Sequence, residues 1–217
     1  MKIACVGYRV WAIDIYQNLK GKLPEHEFLL QLSEDNFCEL AIAAFKPDLL
    51  LFYGWSKIIP TNLVTKYNCL MLHPSPLPKY RGGSPLQNQI IRGETKSAVT
   101  IFLMDEGIDT GPIAKQKELD LSGTLSEIFE RISNIGLQLT LEIALEGLSV
   151  YEQDEEEASY CNRRKPHESE ITIDELTNQS SLYLYNKIRM LQDPYPNPFI
   201  KTVDGKRIVI KSAVIQG

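Results

Sequence analysis

The sequence has no apolar run close to the ~20 residues that a bilayer-spanning helix needs, so no membrane partner is expected. Its four cysteines, Cys5, Cys38, Cys69 and Cys161, lie scattered, with no Cys-x-x-Cys pair and no metal-ligand spacing. No metal is therefore expected. Cys5 and Cys69 sit inside apolar runs, where a thiol packs as a small hydrophobe. Reduced, structural cysteines fit a cytoplasmic location. Positive charge is in deficit: 23 Lys and Arg against 28 Asp and Glu give a formal net charge of −5. That balance leaves no electrostatic footprint for a phosphate backbone and argues against nucleic acid as a partner. The opening Met1-Lys2-Ile3-Ala4-Cys5-Val6-Gly7 is too short and too strand-like for a signal peptide. Internal repeats and low-complexity tracts are also missing.

What is present is an alternation of strand and helix signals. With 217 residues the chain can bury one full core and carry a small appendage. Apolar runs predict strands at residues 2–7, 28–30, 48–53, 69–73 and 98–104, with a further edge strand over 111–119. Helical periodicity falls between them, at 10–19, 34–45 and 84–91. This spacing predicts an α/β fold with a doubly wound, mostly parallel, Rossmann-like sheet. Thr124-x-x-Glu127 is a capping box that opens a long helix. Along it Leu125, Ile128, Ile132, Ile135, Leu139 and Ile143 form one apolar stripe against the sheet. After Gly147 the composition changes, and the acidic run 152–157 reads as a solvated loop. A helix over 181–191 and strands at 199–203 and 207–214 follow, with Asp204-Gly205 as a hairpin turn. Two units are expected: a catalytic domain over 1–150, and a small α+β subdomain over 151–217 that ends in a β-hairpin suited to dimerisation.

The chemistry centres on two positions. His73 closes the apolar run Cys69-Leu70-Met71-Leu72, and Asp109 follows the run 98–104. In an open α/β sheet, ligands bind beyond the carboxyl ends of the strands. An imidazole and a carboxylate at two such exits form a candidate pair, with His73 as general base and Asp109 orienting its ring. Each has a plainer reading, His73 as a satisfied turn residue and Asp109 as an Asx-turn or cap.

The segments that carry these residues are Met71-Leu72-His73-Pro74-Ser75-Pro76-Leu77-Pro78-Lys79-Tyr80-Arg81-Gly82 and Met104-Asp105-Glu106-Gly107-Ile108-Asp109-Thr110-Gly111. Together they resemble the folate-dependent formyltransferase family, with its Asn-x-His-Pro-Ser-x-Leu-Pro-x-Tyr-x-Gly and Met-Asp-x-Gly-x-Asp-Thr-Gly patterns. Two more blocks, Gln153 to Tyr160 with Arg163-Arg164-Lys165-Pro166, and Ile188 to Pro196, resemble the branch containing methionyl-tRNA and amino-sugar formyltransferases. The resemblance implies formyl transfer from N10-formyltetrahydrofolate to an amine. It also implies a donor pocket lined by Phe52, Tyr53, Gly54, Trp55, Ile58, Met104, Asp105, Gly107 and Ile108, and a cis bond at Leu77-Pro78. Tyr53 and Trp55 fit a pocket wall and a core equally well.

One departure stands out: the family's asparagine two residues before the histidine is Met71 here, and a thioether donates no hydrogen bond. Either activity is lost, or another donor serves the oxyanion. Asn88 and the first amides of the helix after Gly83 are the candidates, since a subset of relatives shares Arg81-Gly82-Gly83-Ser84-Pro85-Leu86-Gln87-Asn88 and also lacks the asparagine. The acidity and the end at Gly217 point away from methionyl-tRNA and towards a small-molecule substrate, a dTDP- or UDP-linked amino sugar. Glycinamide ribonucleotide is an alternative acceptor, and a ligand-binding homologue without turnover is an alternative of another class. Pro74, Ser75, Lys79, Tyr80, Arg81 and Gly82 are the expected substrate contacts, with Arg9 and Arg92 as further cations for a diphosphate.

Overall fold

The computed structural model describes residues 1–216. β1 (Lys2–Val6) is a central strand; Ile3 to Val6 are wholly buried, as a strand covered on both faces requires. α1 (Val10–Lys22) turns Ala12, Ile15, Tyr16 and Leu19 inward at three- and four-residue steps. β2 (Glu27–Gln31) follows, then α2 (Glu39–Phe45), β3 (Leu49–Phe52), α3 (Thr61–Lys66) and β4 (Cys69–His73). α2 starts later than the periodicity predicts. The Gln31 side chain accepts from the Cys38 amide and donates to the Cys38 carbonyl, both at 3.1 Å, and so keeps the preceding residues out of a helix. After the two-residue β5 (Arg81–Gly82) come α4 (Pro85–Ile91), β6 (Lys96–Leu103), β7 (Ile113–Asp120) and α5 (Leu125–Glu146).

The main sheet runs β2-β1-β3-β4-β6-β7. The three pairings from β2 to β4 are parallel, whereas β4–β6 and β6–β7 are antiparallel. This corrects one premise. His73 pairs with Thr100 and Leu70 with Leu103, so β6 leaves the sheet at the opposite edge from β4. The loop carrying Asp109 therefore reaches His73 by folding back over the sheet face, not by sharing a carboxyl edge.

α1 and α5 cover one face. The capping box forms: Thr124 N–H donates to Glu127 Oε2 (2.7 Å), and Glu127 N–H donates to Thr124 Oγ1 (3.3 Å). Gly136 sits where α5 crosses closest, since a Cβ there would lie 2.6 Å from Leu72 Cδ1 and 2.7 Å from Ile15 Cδ1. On the other face Ala4, Val6, Ile42, Phe52, Leu63 and Cys69 form a second apolar cluster.

The remaining chain holds β8 (Tyr160–Cys161), α6 (Ile173–Asn178), α7 (Ser181–Arg189), and the antiparallel pair β9 (Phe199–Lys201) and β10 (Arg207–Val209). The hairpin forms with Gly205 at φ 76°, although both strands are shorter than expected. Met190 and Leu191 join the cluster of Leu121, Leu125 and Ile128, and β8 pairs with β5. Residues beyond 150 thus complete the core of the preceding part. Among the described residues no helix is long and apolar enough to cross a membrane.

Candidate active site

Strand alternation puts His73 on the same face as Met71, opposite the α1/α5 side to which Leu70 and Leu72 turn. His73 Nδ1 lies 3.4 Å from Asp109 Oδ2, and Nε2 lies 2.9 Å from the Tyr80 carbonyl. A carbonyl only accepts, so Nε2 carries a hydrogen. Nδ1 is then the one ring position that can gain or lose a proton, and it faces the carboxylate. Asp109 has a left-handed backbone (φ 56°). Its Oδ2 accepts from the Gly82 amide at 2.8 Å, and its carbonyl accepts from Gln153 Nε2 at 2.9 Å.

The loop from Pro74 to Tyr80 contains three prolines, which have no N–H, so several of its carbonyls take donors from elsewhere in the chain. Pro74 receives Gln89 Nε2 (2.9 Å), Ser75 receives Thr100 Oγ1 (2.6 Å), and Leu77 receives Gln116 Nε2 (3.0 Å). Pro78 receives the Ser159 amide (3.2 Å) and Lys79 the Ser75 hydroxyl (2.8 Å). Leu77-Pro78 is cis, as the resemblance implied.

Several expected contacts take other parts. Arg81, expected to meet a substrate anion, is wholly buried with every guanidinium donor used. Nε and Nη2 donate to Gln153 Oε1 (3.1 and 2.8 Å), Nη1 and Nη2 to the Glu155 carboxylate (3.0 and 2.6 Å), and Nη1 also to Tyr160 Oη (3.1 Å). The hydrogen bonds to Glu155 push the guanidinium higher still, while they hold the Glu155 carboxyl below the usual range. Ser75 is buried, its hydroxyl spent on the loop, and Gly82 gives its amide to Asp109. Lys79 pairs with Glu157 at 2.7 Å, and the Tyr80 hydroxyl donates to Glu94 at 2.9 Å.

Asn88, the expected oxyanion donor, faces backbone carbonyls. Its Nδ2 lies within 3.0–3.2 Å of the carbonyls of Gly83, Ser84 and Asn162, and two N–H groups shared among three acceptors leave no free donor. Ser84, at the helix cap, has a left-handed backbone and accepts the Arg164 amide on its hydroxyl.

The donor-pocket residues divide. Phe52 and Tyr53 are wholly buried. Tyr53 turns to the α1/α5 face, stacks on Tyr16 and hydrogen-bonds Thr140, so it is a core residue. Trp55 packs on Tyr8 and Phe37, yet its buried indole Nε1 has no acceptor among the described residues. Gly54 has φ 63°, and a Cβ there would meet Arg9 Cβ at 2.7 Å. Ile58 and Ile108 are exposed. Asp105 braces its own loop by accepting from the Gly107 amide (2.9 Å) and the Thr110 hydroxyl (2.7 Å). Met104 lies half-buried against Met71 and Leu77.

Two residues given no role in advance stand close by. Gln153 bonds both sides of the site, and the Cys161 thiol lies 3.1–3.6 Å from the carbonyls of Tyr80, Arg81 and Gly83. Burial pushes that thiol up, against the lowering effect of Arg92 and Asn88.

The α/β scaffold brings this His–Asp pair together beside the proline loop, and comparison with known proteins gives the family. Residues 25–142, more than half the chain, match the formyl transferase family model, and the chain belongs to that family. A methionyl-tRNA formyltransferase of Wolbachia pipientis is 31% identical over 175 residues, covering 78% of this chain and 55% of that protein. The chain spans about half the length of the first curated relatives it matches. A solved methionyl-tRNA formyltransferase from Clostridium thermocellum is 32% identical with a TM-score of 0.87, covering 97% of both chains. A sugar N-formyltransferase from Shewanella shares the fold alone, at 19% identity and a TM-score of 0.76 over 100% of this chain and 99% of that one.

Proposed function

We propose that the chain transfers a formyl group from N10-formyltetrahydrofolate to the amine of a dTDP- or UDP-linked amino sugar. The contact between His73 and Asp109 carries this reading. The donor supplies the formyl carbon: the acceptor nitrogen bonds to it as its bond to N10 breaks, and a proton passes from the amine to N10. Asp109 handles that proton. Its Oδ2 is occupied by Gly82 and His73, whereas Oδ1 has no hydrogen-bond partner among the described residues. His73, with Nε2 committed to Tyr80, acts through Nδ1 on the carboxylate rather than directly on the amine. The roles expected from sequence are thereby exchanged: the carboxylate meets the acceptor, and the imidazole sets its charge.

A flat pterin needs apolar walls and a few directed donors. Ile108 beside Asp109 is 66% exposed, and the Trp55 indole N–H is a buried donor without an acceptor. With Gly54, Ile58, Met104, Asp105 and Gly107 they suit the donor. For the sugar nucleotide, Arg9 and Arg92 have no carboxylate partner among the described ion pairs; Arg9 lies over Tyr8 and Tyr195, and Arg92 over Tyr80. The exposed Ile208 and Val209 of β10 suit pairing with a second copy of the chain, which sedimentation measurements would detect.

A second reading, ligand binding without turnover, has Met71 in its favour, because a thioether donates no hydrogen bond to an oxyanion and the Asn88 amide is committed to backbone carbonyls. The deciding assay offers N10-formyltetrahydrofolate with a panel of nucleotide amino sugars, and with methionyl-tRNA and glycinamide ribonucleotide as rival acceptors. Mass spectrometry should find one added formyl unit on a sugar. Formylation of tRNA alone replaces the sugar, and donor binding without transfer in any arm leaves the second reading.

A further inference from the structure

We infer that Gln153 is a positioning residue that sets the Asp109 carboxylate against His73, with Arg81 as its anchor. The inference rests on the proposed reading of His73 and Asp109 as the proton-handling pair. Asp109 sits in a backbone region that a non-glycine residue occupies at a cost of about 1 kcal/mol or more, so something outside its own loop must hold it there. Two bonds do so. The Gly82 amide takes Oδ2, and Gln153 Nε2 bridges the carbonyls of Asp109 (2.9 Å) and Gly111 (2.7 Å).

An amide side chain can rotate to exchange its oxygen and nitrogen, which here would set an oxygen against two carbonyls. Arg81 forbids it, because two guanidinium N–H groups hold Gln153 Oε1. Glu155 and Tyr160 occupy the remaining donors, so Arg81 in turn cannot swing away. Arg81 and Gly82 are consecutive residues of β5. One short strand therefore fixes the carboxylate directly through Gly82 and the backbone behind it through Arg81 and Gln153. Gln153 is buried, and its side-chain hydrogen bonds run to Arg81 and to the carbonyls of Asp109 and Gly111, not to His73, which makes it a support for the site and not a catalytic residue.

The test is NMR at fixed pH on the full chain, following two signals that need no turnover. They are the Gly82 amide proton, shifted downfield by its carboxylate acceptor, and the His73 Nδ1 nitrogen. Asp109→Asn defines the change expected when the carboxylate charge is removed. Gln153→Ala should move both signals in that direction, by a fraction of the same shift. Gln153→Met, which fills the space without a donor, should do likewise and covers the case in which alanine does not fold. In steady state, kcat should fall at least about tenfold, the cost of a misplaced reacting group, with donor KM within about twofold. If both Gln153 variants leave the two signals and kcat unchanged while Asp109→Asn moves them, the positioning role is wrong and the pair stands. If Asp109→Asn leaves His73 Nδ1 unmoved, the pair itself fails, and this inference with it.

Discussion

His73 and Asp109 face each other across 3.4 Å, yet the segments that deliver them are built differently. The His73 side runs along a buried strand into a proline loop whose carbonyls are bound by Gln89, Thr100, Gln116 and Ser159, from four separate parts of the chain. The Asp109 side is an exposed loop braced internally by Asp105, with its functional residue left-handed and held from outside by Gly82 and Gln153. One half is placed by a strand and its packing, and the other by a few long-range hydrogen bonds. Two groups that must meet within a few tenths of an ångström thus depend on supports of quite different kinds.

The largest expected effect tests whether the halves act as one device. His73→Ala and Asp109→Asn should each lower kcat for formyl transfer by about 10³-fold, and the double variant should lose little more. Additive losses in stopped-time assays would separate the two residues and break the comparison. Next comes the anchor behind the Asp109 side. Arg81→Met should cost about 3 kcal/mol in urea unfolding, because it strands buried Gln153 Oε1 and dismantles a connected network. A loss within experimental error would mean that β5 is held some other way.

Smaller effects probe the exposed half. At Gly107 a Cβ would lie 1.9 Å from Thr110 Oγ1, so Gly107→Ala forces Thr110 to rotate off Asp105. That should cost about 1 kcal/mol and raise hydrogen exchange over residues 105–111 before any other segment. The smallest effect is a pH dependence. Hydrogen bonding from Arg81 holds the Glu155 carboxyl below its ordinary value of 4.5. A depressed carboxyl contributes stability that is complete above 4.5 and lost as pH falls through the lower native value. Thermal melts from pH 6 to 2 should show that decline, and Glu155→Gln should flatten it. An unchanged profile would detach Glu155 from the support of β5.

The same division separates what the sequence revealed from what it hid. Cys69–His73 was legible as a strand because its apolar run is short and ends at a polar residue followed by a proline. The Thr124 capping box and the turn at Gly205 were legible because each depends on residues a few positions apart. Strand direction was not: an apolar run reads the same either way, so the antiparallel β6 and the reversed path to Asp109 escaped notice. Tyr53 could have been assigned by parity. Phe52 pairs with Met71, so its neighbour must turn to the opposite face from His73. Arg81 read as a free cation because its partners, Gln153 and Glu155, lie 72 and 74 positions away. Gln153 lies within the acidic run and opens a family-like block, which marked its segment but gave it no role.

The proline loop has a bearing on how the molecule assembles. Residues 74–79 have too few donors to shape their own loop, and those that the carbonyls of Pro74, Ser75, Leu77 and Pro78 borrow arrive on α4, β6, β7 and the approach to β8, separated by between 15 and 81 positions in the chain. A nascent chain that has made only the first four strands therefore lacks the groups that shape this loop. Competence is a late event in folding, and any partial opening that withdraws one of those elements should silence the site while most of the sheet survives.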